Sequence, residues 1–396
     1  MPPLRLAVAC DYPEEGWTSM DLVGRMILAH LAARHADAVA ACDVRPPFRR
    51  RLTRADGAAR GRAARNADRL LNRFVDYPRA VRGLARVGAF DLLHVVDHSY
   101  SQLVHAAPPG RAVVTCHDLD TFACLLEPAR CPRPLWFRAM TRRILAGLRE
   151  AAAIACDTEA TAAALRARGL VDPARIHVVP LGIDPACTPE PDPIADASAA
   201  RLLGPADPQG PPELLHVGST IPRKRIDVLL EVVAAVRRAY PDALLVRVGG
   251  ALEPAQQRLA RSLGLADAVV TLPFLDRATL AAVYRRAAAV LQPSEAEGFG
   301  LPVAEALACG AAVLASDIPA LREVGGAAAR FLPVGAVASW AEAAADLIEG
   351  HRRRDAPWHA LRAAGPGQAA RFGWPAHVDR LVAIYHAVLA GAAAGP

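Results

Sequence analysis

Residues 289 to 310, AVLQPSEAEGFGLPVAEALACG, indicate the fold most clearly. Four residues suited to a buried strand, 289 to 292, run into a loop that contains two glycines, and an alanine-rich helical pattern follows. Pro302 suits the first turn of that helix, because an N–H at this position has no partner within the helix. The stretch therefore predicts a strand, a glycine loop and a helix, which together form the βα unit of a parallel sheet.

The same loop has the chemistry of an anion site. The start of a helix presents unpaired N–H groups and the positive end of its dipole, and glycines let the backbone approach a ligand closely. Glu297 lies in the loop and Glu305 in the first turn of the predicted helix. Eight residues of helix span about 12 Å, so the two carboxylates suit opposite sides of a polyhydroxylated ligand better than a shared proton. The alternative is that Glu305 complements the helix dipole and Glu297 is solvated.

Similar strand and helix patterns alternate along the whole chain, which predicts two α/β domains, each with a doubly wound parallel sheet. A length of 396 residues, 53% of them hydrophobic, is enough for two cores and excludes general disorder. Eleven strands are predicted: Arg5 to Cys10, Ala38 to Val44, Asp91 to Val96, Ala112 to Cys116, Ala152 to Cys156, Ile176 to Pro180, Leu214 to Val217, Leu244 to Val248, Ala268 to Leu272, Ala289 to Gln292 and Ala312 to Ala315.

The predicted division of the chain depends on a proline-rich stretch. Residues 1 to 184 form the first Rossmann-like domain and residues 213 to 371 the second. Residues 185 to 212 contain eight prolines, which interrupt helices and strands, and predict an interdomain connection with a short helix near Ala195 to Leu203. The two domains are expected to face each other across a cleft, where such sheets bind ligands at the carboxyl ends of their strands.

Charge and cysteine content restrict the function further. The formal net charge of +6 comes largely from residues 45 to 86, which hold 13 Arg against 3 Asp. This segment predicts either a solvated face or a contact with an anionic membrane or a phosphorylated acceptor. No base-reading module accompanies the charge, so nucleic acid is not an expected partner. Without a long apolar run or paired cysteine motifs, we expect a cytoplasmic protein with reduced thiols, either free in the cytoplasm or at the inner face of the membrane.

A second motif follows the predicted strand 214 to 217. The sequence HVGSTIPRKRID, residues 216 to 227, predicts a strand that ends at Gly218, then a turn, then a basic cluster at the start of a helix. Lys224 is the only lysine in a chain with 45 arginines. Arg223 offers a forked donor and Lys224 a compact charge, which suits a diphosphate leaving group. The alternative is a solvated helix start in an arginine-rich protein.

These two motifs resemble those of retaining glycosyltransferases of family 4, which have the two-domain GT-B fold. Glu297 and Glu305, with Gly-Phe-Gly-Leu-Pro between them, are similar to the family's Glu-x7-Glu signature. The resemblance implies that Glu297 contacts the transferred sugar and Glu305 the ribose of a nucleotide sugar. The implied donor-binding residues are Gly218, Arg223, Lys224, Glu297, Gly298, Phe299, Gly300, Leu301 and Glu305. Many members carry an arginine where this chain has Ser219.

The first half resembles the family more loosely. His117 ends the strand 112 to 116 in a His-Asp-Leu turn, which implies a position beside the donor sugar. Gly16 and Trp17 replace a Gly-Gly pair that relatives commonly have, and Trp17 suits either an acceptor ring or a neighbouring helix. His98 and Ser99 are predicted acceptor contacts. Residues 372 to 396 are similar to the family's terminal helix, which crosses back to the first domain.

The resemblance implies a hexosyltransferase that moves a sugar from a nucleotide-diphosphate sugar to an unidentified acceptor, with retention at the anomeric carbon. His117, Glu297 and Lys224 are the predicted catalytic residues. No cofactor and no metal are predicted, although Asp118 and Asp120 form an Asp-x-Asp pair. The alternatives are a nucleotide-sugar epimerase, a phosphorylase, or a binding protein without catalysis on the same fold.

Overall fold

The computed structural model describes residues 2 to 53 and 61 to 393. Its strands are β1 (Leu4–Ala9), β2 (Val39–Asp43), β3 (Leu92–Val95), β4 (Ala112–Cys116), β5 (Ala153–Cys156), β6 (Ile176–Val178), β7 (Glu213–Val217), β8 (Leu244–Val248), β9 (Val269–Leu272), β10 (Ala289–Gln292), β11 (Val313–Ser316) and β12 (Arg330–Leu332). Its helices are α1 (Thr18–Arg34), α2 (Arg62–Leu71), α3 (Tyr77–Arg86), α4 (Ala123–Leu126), α5 (Leu135–Glu150), α6 (Glu159–Ala167), α7 (Pro193–Leu203), α8 (Ile226–Val236), α9 (Pro254–Ser262), α10 (Arg277–Arg286), α11 (Leu301–Ala308), α12 (Pro319–Gly325), α13 (Val337–Arg353), α14 (Ala356–Ala369) and α15 (Trp374–Ala393).

The chain folds into two units, each with its own parallel sheet. The first unit comprises residues up to Leu181 and returns from Trp374, and the second comprises Gly182 to Gly373. The strand orders are β2-β1-β3-β4-β5-β6 in the first sheet and β12-β11-β10-β7-β8-β9 in the second. The prediction of two α/β Rossmann-like domains is confirmed.

All eleven predicted strands are present, with ends that differ by at most two residues, and β12 was not predicted. The central strands of each sheet are nearly continuous in buried apolar residues because helices cover both faces of the sheet, whereas edge strands such as β2, β9 and β12 are partly exposed. In the second unit, for example, Leu214 and Leu245 pack with Leu229 of α8 and Trp340 of α13.

The proline-rich stretch 185 to 212 belongs to the second unit. It contains α7, which packs on α10. Arg285 of α10 donates to Asp196 of α7 at 2.6 Å and to the carbonyl of Thr188. These contacts make most of the stretch part of a folded domain instead of a free connection.

The last helix, α15, packs in the first unit. The hydroxyl of Tyr385 lies 2.7 Å from Nδ1 of His94 on β3, and Nδ1 of His377 lies 2.9 Å from the carbonyl of Pro180. His94 and Tyr385 are fully buried. The helix therefore closes the core of a unit whose other elements all precede residue 182.

Candidate functional site

The two motifs of the second unit lie side by side. β7 and β10 are neighbours in the sheet and run parallel, so the turn after β7 and the loop after β10 leave the same edge. The backbone N–H of Glu295 donates to the carbonyl of Arg223 at 2.9 Å, which links the two segments. Both predicted donor-binding motifs therefore form one surface at the carboxyl ends of the strands.

Glu297 is the centre of this surface. One carboxylate oxygen lies 2.5 Å from Nζ of Lys224, and the other lies 3.1 Å from a guanidinium nitrogen of Arg223. Gln292 and Ser294 also donate to the carboxylate, at 2.7 and 2.8 Å. Two cations share one carboxylate, so these three residues carry a net charge of +1 and attract an anion.

The charge of Glu297 is fixed at neutral pH. Burial alone would raise the pKa of Glu297, but the positive charges of Lys224 and Arg223 outweigh burial and lower this pKa to about 2. Glu297 is therefore an ionised acceptor, which excludes it as a proton donor near neutral pH.

In the rest of the glycine loop, the backbone is better placed than the side chains to contact a ligand. Gly300 has φ +94°, and a Cβ there would overlap with Leu321, so only glycine fits. Phe299 is buried, and its ring packs edge-on against Phe372 with centroids 5.3 Å apart. Gly300 caps α11, whose first residue is Leu301, so the backbone from Gly298 to Leu301 lies at the positive end of the helix dipole.

Glu305 differs from the prediction in its position. It is the fifth residue of α11 and therefore lies in the second turn of the helix, because the helix begins only at Leu301. Its carboxylate is buried and accepts hydrogen bonds from Arg277 and, at 3.1 Å, from the hydroxyl of Tyr284. Burial raises the pKa of Glu305 despite the opposing charge of Arg277. The ribose contact stays a prediction, and Arg277 and Tyr284 are partners that the motif alone did not indicate.

Two further polar residues lie beneath the turn that follows β7, residues 218 to 222, which is the predicted donor-phosphate turn, and the sequence did not indicate them. His216 on β7 and Arg247 on β8 are fully buried register partners. Arg247 donates to the carbonyl oxygens of Gly218 and Gly250, at 3.1 and 3.3 Å. The sequence did contain one sign of Arg247, because it is an arginine within the otherwise apolar strand LLVRV.

The first unit has a polar edge at the ends of its central strands. His117 follows β4, and its Nδ1 lies 2.6 Å from the carboxylate of Asp157, which follows β5. Its Nε2 lies 2.9 Å from the carbonyl of Val96. Both partners are acceptors, so both ring nitrogens carry protons and His117 is a cation. Burial alone would lower the pKa of His117, but Asp157, with smaller contributions from Asp97 and Asp118, raises it to about 10.

The predicted acceptor residues differ in accessibility. His98 is buried with its ring against Phe122, and Ser99 donates its hydroxyl to Asp97 at 2.7 Å. Trp17 is 44% exposed at the start of α1, and Gly16 before it has φ +76°. Of these four residues, Trp17 is therefore the side chain most open to a ligand.

Asp11 is an additional buried group at this edge. It follows β1, is 1% exposed, and neither of its carboxylate oxygens has a hydrogen-bond partner. Burial, followed by the nearby negative charge of Asp97, raises the pKa of Asp11 well above its usual range. Asp11 is therefore a buried carboxyl group that holds its proton more tightly than usual, next to the carboxylate of Asp97.

The arginine-rich segment is partly neutralised within the first unit. Arg51 binds Asp76 with two hydrogen bonds of 2.7 and 2.8 Å, and Arg73 binds Glu15 at 3.3 Å and lies over the ring of Tyr100. Exposed arginines elsewhere in the described part of the segment are Arg49, Arg50, Arg65, Arg79 and Arg86.

In the described residues, neither a metal cluster nor the cavity described next adds to the predicted site. Across residues 2 to 53 and 61 to 393, no cluster of three or more His, Cys, Asp or Glu residues is placed to hold a metal ion. A cavity of about 490 Å³ lies beside Glu213 and Leu244, at the amino ends of β7 and β8. None of the predicted site residues lines that cavity.

Solved structures with the same arrangement of elements define the class. Sucrose-phosphate synthase from Thermosynechococcus elongatus is 20% identical and matches with a TM-score of 0.73, over 98% of this chain and all of its own. Anabaena Alr3699/HepE in complex with UDP-glucose is 16% identical and matches with a TM-score of 0.67, over 99% of this chain and all of its own. The fold is thus that of the GT-B glycosyltransferases.

Sequence relatives then give the family. The Glycosyltransferase Family 4 model matches residues 25 to 186, and the model "Glycosyl transferases group 1" matches residues 205 to 358. A D-inositol 3-phosphate glycosyltransferase of Thermomonospora curvata is 31% identical, over 75% of this chain and 72% of its own. The chain belongs to the group 1 glycosyl transferases of family 4.

The sequence matches do not all extend across the relatives. A protein of the same name from Segniliparus rotundus is 37% identical over 61% of this chain, but only 53% of its own length is matched. The chain spans about half the length of several such curated relatives. In the described residues, no helix is long and apolar enough to cross a membrane.

Proposed function

We propose that the protein is a retaining, metal-independent hexosyltransferase that uses a nucleotide-diphosphate sugar as donor. The cluster of Lys224, Arg223 and Glu297 carries this proposal. It combines a surplus positive charge with an ionised acceptor at the edge of the sheet where open α/β domains bind ligands. A diphosphate needs the first property and a sugar with free hydroxyls the second.

The proposed roles of these residues follow from where negative charge increases during the reaction. As the bond between the anomeric carbon and the diphosphate breaks, negative charge increases on the phosphate oxygens, and Lys224 and Arg223 stabilise it. A new bond forms to the acceptor oxygen, and the acceptor proton passes to the departing phosphate oxygen. Glu297 accepts hydrogen bonds from the sugar hydroxyls, and the cationic His117 of the first unit is kept as a proposed catalytic residue.

A nucleoside diphosphate as the donor's leaving group has independent support. Alr3699/HepE, which shares the fold, has been solved in complex with UDP and with UDP-glucose. In this chain, the backbone from Phe299 to Leu301 supplies N–H groups at the start of α11. Glu305 remains the proposed ribose ligand, which requires ribose to share a carboxylate that Arg277 and Tyr284 already contact.

For the acceptor, we favour a small phosphorylated polyol. Relatives that are 31 to 37% identical are named D-inositol 3-phosphate glycosyltransferase. The first unit, where we place the acceptor, has exposed arginines on α2 and α3 and an exposed Trp17. Guanidinium groups bind phosphate through paired hydrogen bonds, and an indole ring packs on the apolar face of a polyol ring.

The test is release of nucleoside diphosphate from UDP-, GDP- and ADP-sugars with and without inositol phosphates. We expect acceptor-dependent release with one donor, and a product whose anomeric configuration, measured by NMR, matches that donor. Failure of every donor and acceptor pair, or an inverted product, would contradict the proposal.

Lys224→Ala should lower turnover at least 100-fold, because one group that stabilises the leaving diphosphate is lost. The matched control is Arg225→Asn, next to it in sequence, whose guanidinium binds Asp227 at the surface. Asparagine suits the positive φ of residue 225, so we expect this control to retain activity. Near-normal turnover of Lys224→Ala would remove Lys224 from the mechanism.

A further inference from the structure

Arg247 is a buried cation without a counter-ion. Its exposure is 0%, and burial lowers the pKa of its guanidinium to about 10, with no carboxylate in the described ranges to oppose the shift. Two guanidinium nitrogens bind the carbonyl oxygens of Gly218 and Gly250. Carbonyl dipoles satisfy part of its hydrogen bonding, but they leave its charge uncompensated.

Burial of a cation without a counter-ion lowers the stability of the folded protein. Moving a charge out of water costs several kcal/mol, and an apolar side chain of similar volume often gives equal or greater stability. Arg286, a partly buried arginine at the end of α10, shows the usual solution, because it forms two hydrogen bonds with Glu213, at 2.8 and 2.6 Å. Arg247 lies at the opposite, carboxyl end of the same sheet and lacks such a partner.

His216 does not compensate this charge. It is the register partner of Arg247, and neither of its ring nitrogens has a hydrogen-bond partner. Burial, together with the positive charges of Arg247 and Lys224, lowers the pKa of His216 well below its usual value. The ring is therefore neutral, and Arg247 adds a full positive charge to the region behind the donor-phosphate turn.

The backbone around Arg247 is built for this contact. Gly218 has φ +154°, and a Cβ on Gly249 would overlap with the carbonyl group of Gly218. The glycine at 249 thus allows the carbonyl of Gly218 to lie against the end of β8, where Arg247 binds it. The two loops that follow β7 and β8 are held together at this point.

We propose that Arg247 is a positioning residue of the donor site, which fixes the Gly218 and Gly250 loops and adds a buried positive charge behind Arg223 and Lys224. The inference rests on the proposed function, since its ligand is the diphosphate of the donor. An arriving diphosphate supplies the negative charge that the folded protein lacks here, so part of the cost of burying Arg247 is recovered on binding.

The test compares Arg247→Met with Arg286→Met, a matched pair at opposite ends of one sheet. Binding of UDP, GDP and ADP is measured by calorimetry, and thermal unfolding is measured without ligand. We expect Arg247→Met to weaken binding of the preferred nucleotide at least 10-fold, while its melting temperature stays within about 3 °C of the original or rises. Arg286→Met should show the reverse, a lower melting temperature and a Kd within threefold.

A second variant separates the charge of Arg247 from its hydrogen bonds. Arg247→Lys keeps the charge but loses the fork that binds both carbonyls, so we expect an intermediate Kd. This second variant also serves if the methionine variant does not fold.

The outcomes are distinct. If the original protein binds none of the three nucleotides, the proposed function fails, and the inference fails with it. If Lys224→Ala weakens binding but Arg247→Met keeps its Kd within twofold, only the inference is overturned. A lower melting temperature with unchanged Kd would show that Arg247 is a structural residue.

Discussion

At the scale of single residues, each unit contains a buried charged side chain that neighbours of the opposite charge stabilise. Glu297 is surrounded by two cations and stays ionised, whereas His117 is surrounded by carboxylates and stays protonated. Each charge is fixed by its neighbours over the whole physiological pH range, so both groups act through a permanent charge. Neither is suited to exchange a proton during turnover.

The pairing of His117 with Asp157 predicts how stability depends on pH. The pKa of His117 is about 10 in the folded protein and about 6.5 when unfolded. Its stabilising contribution is therefore complete below pH 6.5 and is lost as the pH rises through 10. Asp157→Asn removes the partner, so urea unfolding should show a deficit that is largest near pH 6 and shrinks toward pH 10.

The control for this prediction is Glu159→Gln, which neutralises a nearby carboxylate at the surface. Surface ion pairs contribute about 0 to 1 kcal/mol, so its deficit should be small and nearly constant between pH 6 and 10. A deficit in Asp157→Asn that grows with pH would contradict the assignment of His117 as a cation.

At the scale of elements, the strands could be predicted from the sequence, but the roles of the buried polar residues within them could not. Continuous apolar runs identified eleven strands because both faces of each sheet are covered. β12 was not predicted because it has only three residues, lies at the edge of its sheet, and has two residues that are not fully buried. The role of Arg247 was not predicted because strands were identified from the spacing of apolar residues, which assigns no role to a single polar residue. The sequence of one strand also does not show which residue, here His216, lies beside it on the next strand.

The site motifs were located by sequence, but their partners required the fold. The spacing of Glu297 and Glu305 was visible in one segment of chain. The contacts of Glu305 with Arg277 and Tyr284 depend on how α10 packs against α11, which no local pattern encodes. Likewise, the pairing of His117 with Asp157 joins the ends of two strands that are 40 residues apart.

Helix α15 gives a prediction at this scale. Tyr385→Phe removes the hydroxyl that bonds His94 and leaves a buried ring nitrogen unpaired, which should lower the free energy of unfolding by about 1 to 3 kcal/mol. The control is His386→Gln, one residue further along the same helix and exposed. Urea unfolding checks both variants, and equal stability of the two would show that α15 is held by apolar packing alone.

At the scale of the whole molecule, the net charge of +6 is concentrated in one unit. Arg51 and Arg73 are bound to carboxylates of that unit, so the surface charge comes from the exposed arginines. Those on the described part of residues 45 to 86 remain available for an anionic surface. This distribution keeps membrane contact as a prediction for the first unit and gives no reason to expect it from the second.

Sedimentation with phosphatidylglycerol vesicles tests this prediction. Replacing Arg50, Arg65 and Arg86 by Gln should reduce vesicle binding at least 10-fold at low salt, because each arginine near an anionic surface contributes about 1 kcal/mol. The control replaces Arg238, Arg261 and Arg353, which are exposed in the second unit, and has the same net charge. Equal loss in both triple variants would indicate general electrostatic attraction, and no loss in either would exclude this surface.

The position of Lys224 has a practical consequence for spectroscopy. It is the sole ε-amino group of the chain, and it lies at the centre of the proposed donor site with its nitrogen 2.5 Å from Glu297. Growth on isotopically enriched lysine therefore yields one side-chain ammonium signal, which needs no assignment. We expect that single resonance to report on the occupancy of the proposed phosphate subsite, in a protein of 41.8 kDa where crowded spectra usually prevent such a measurement.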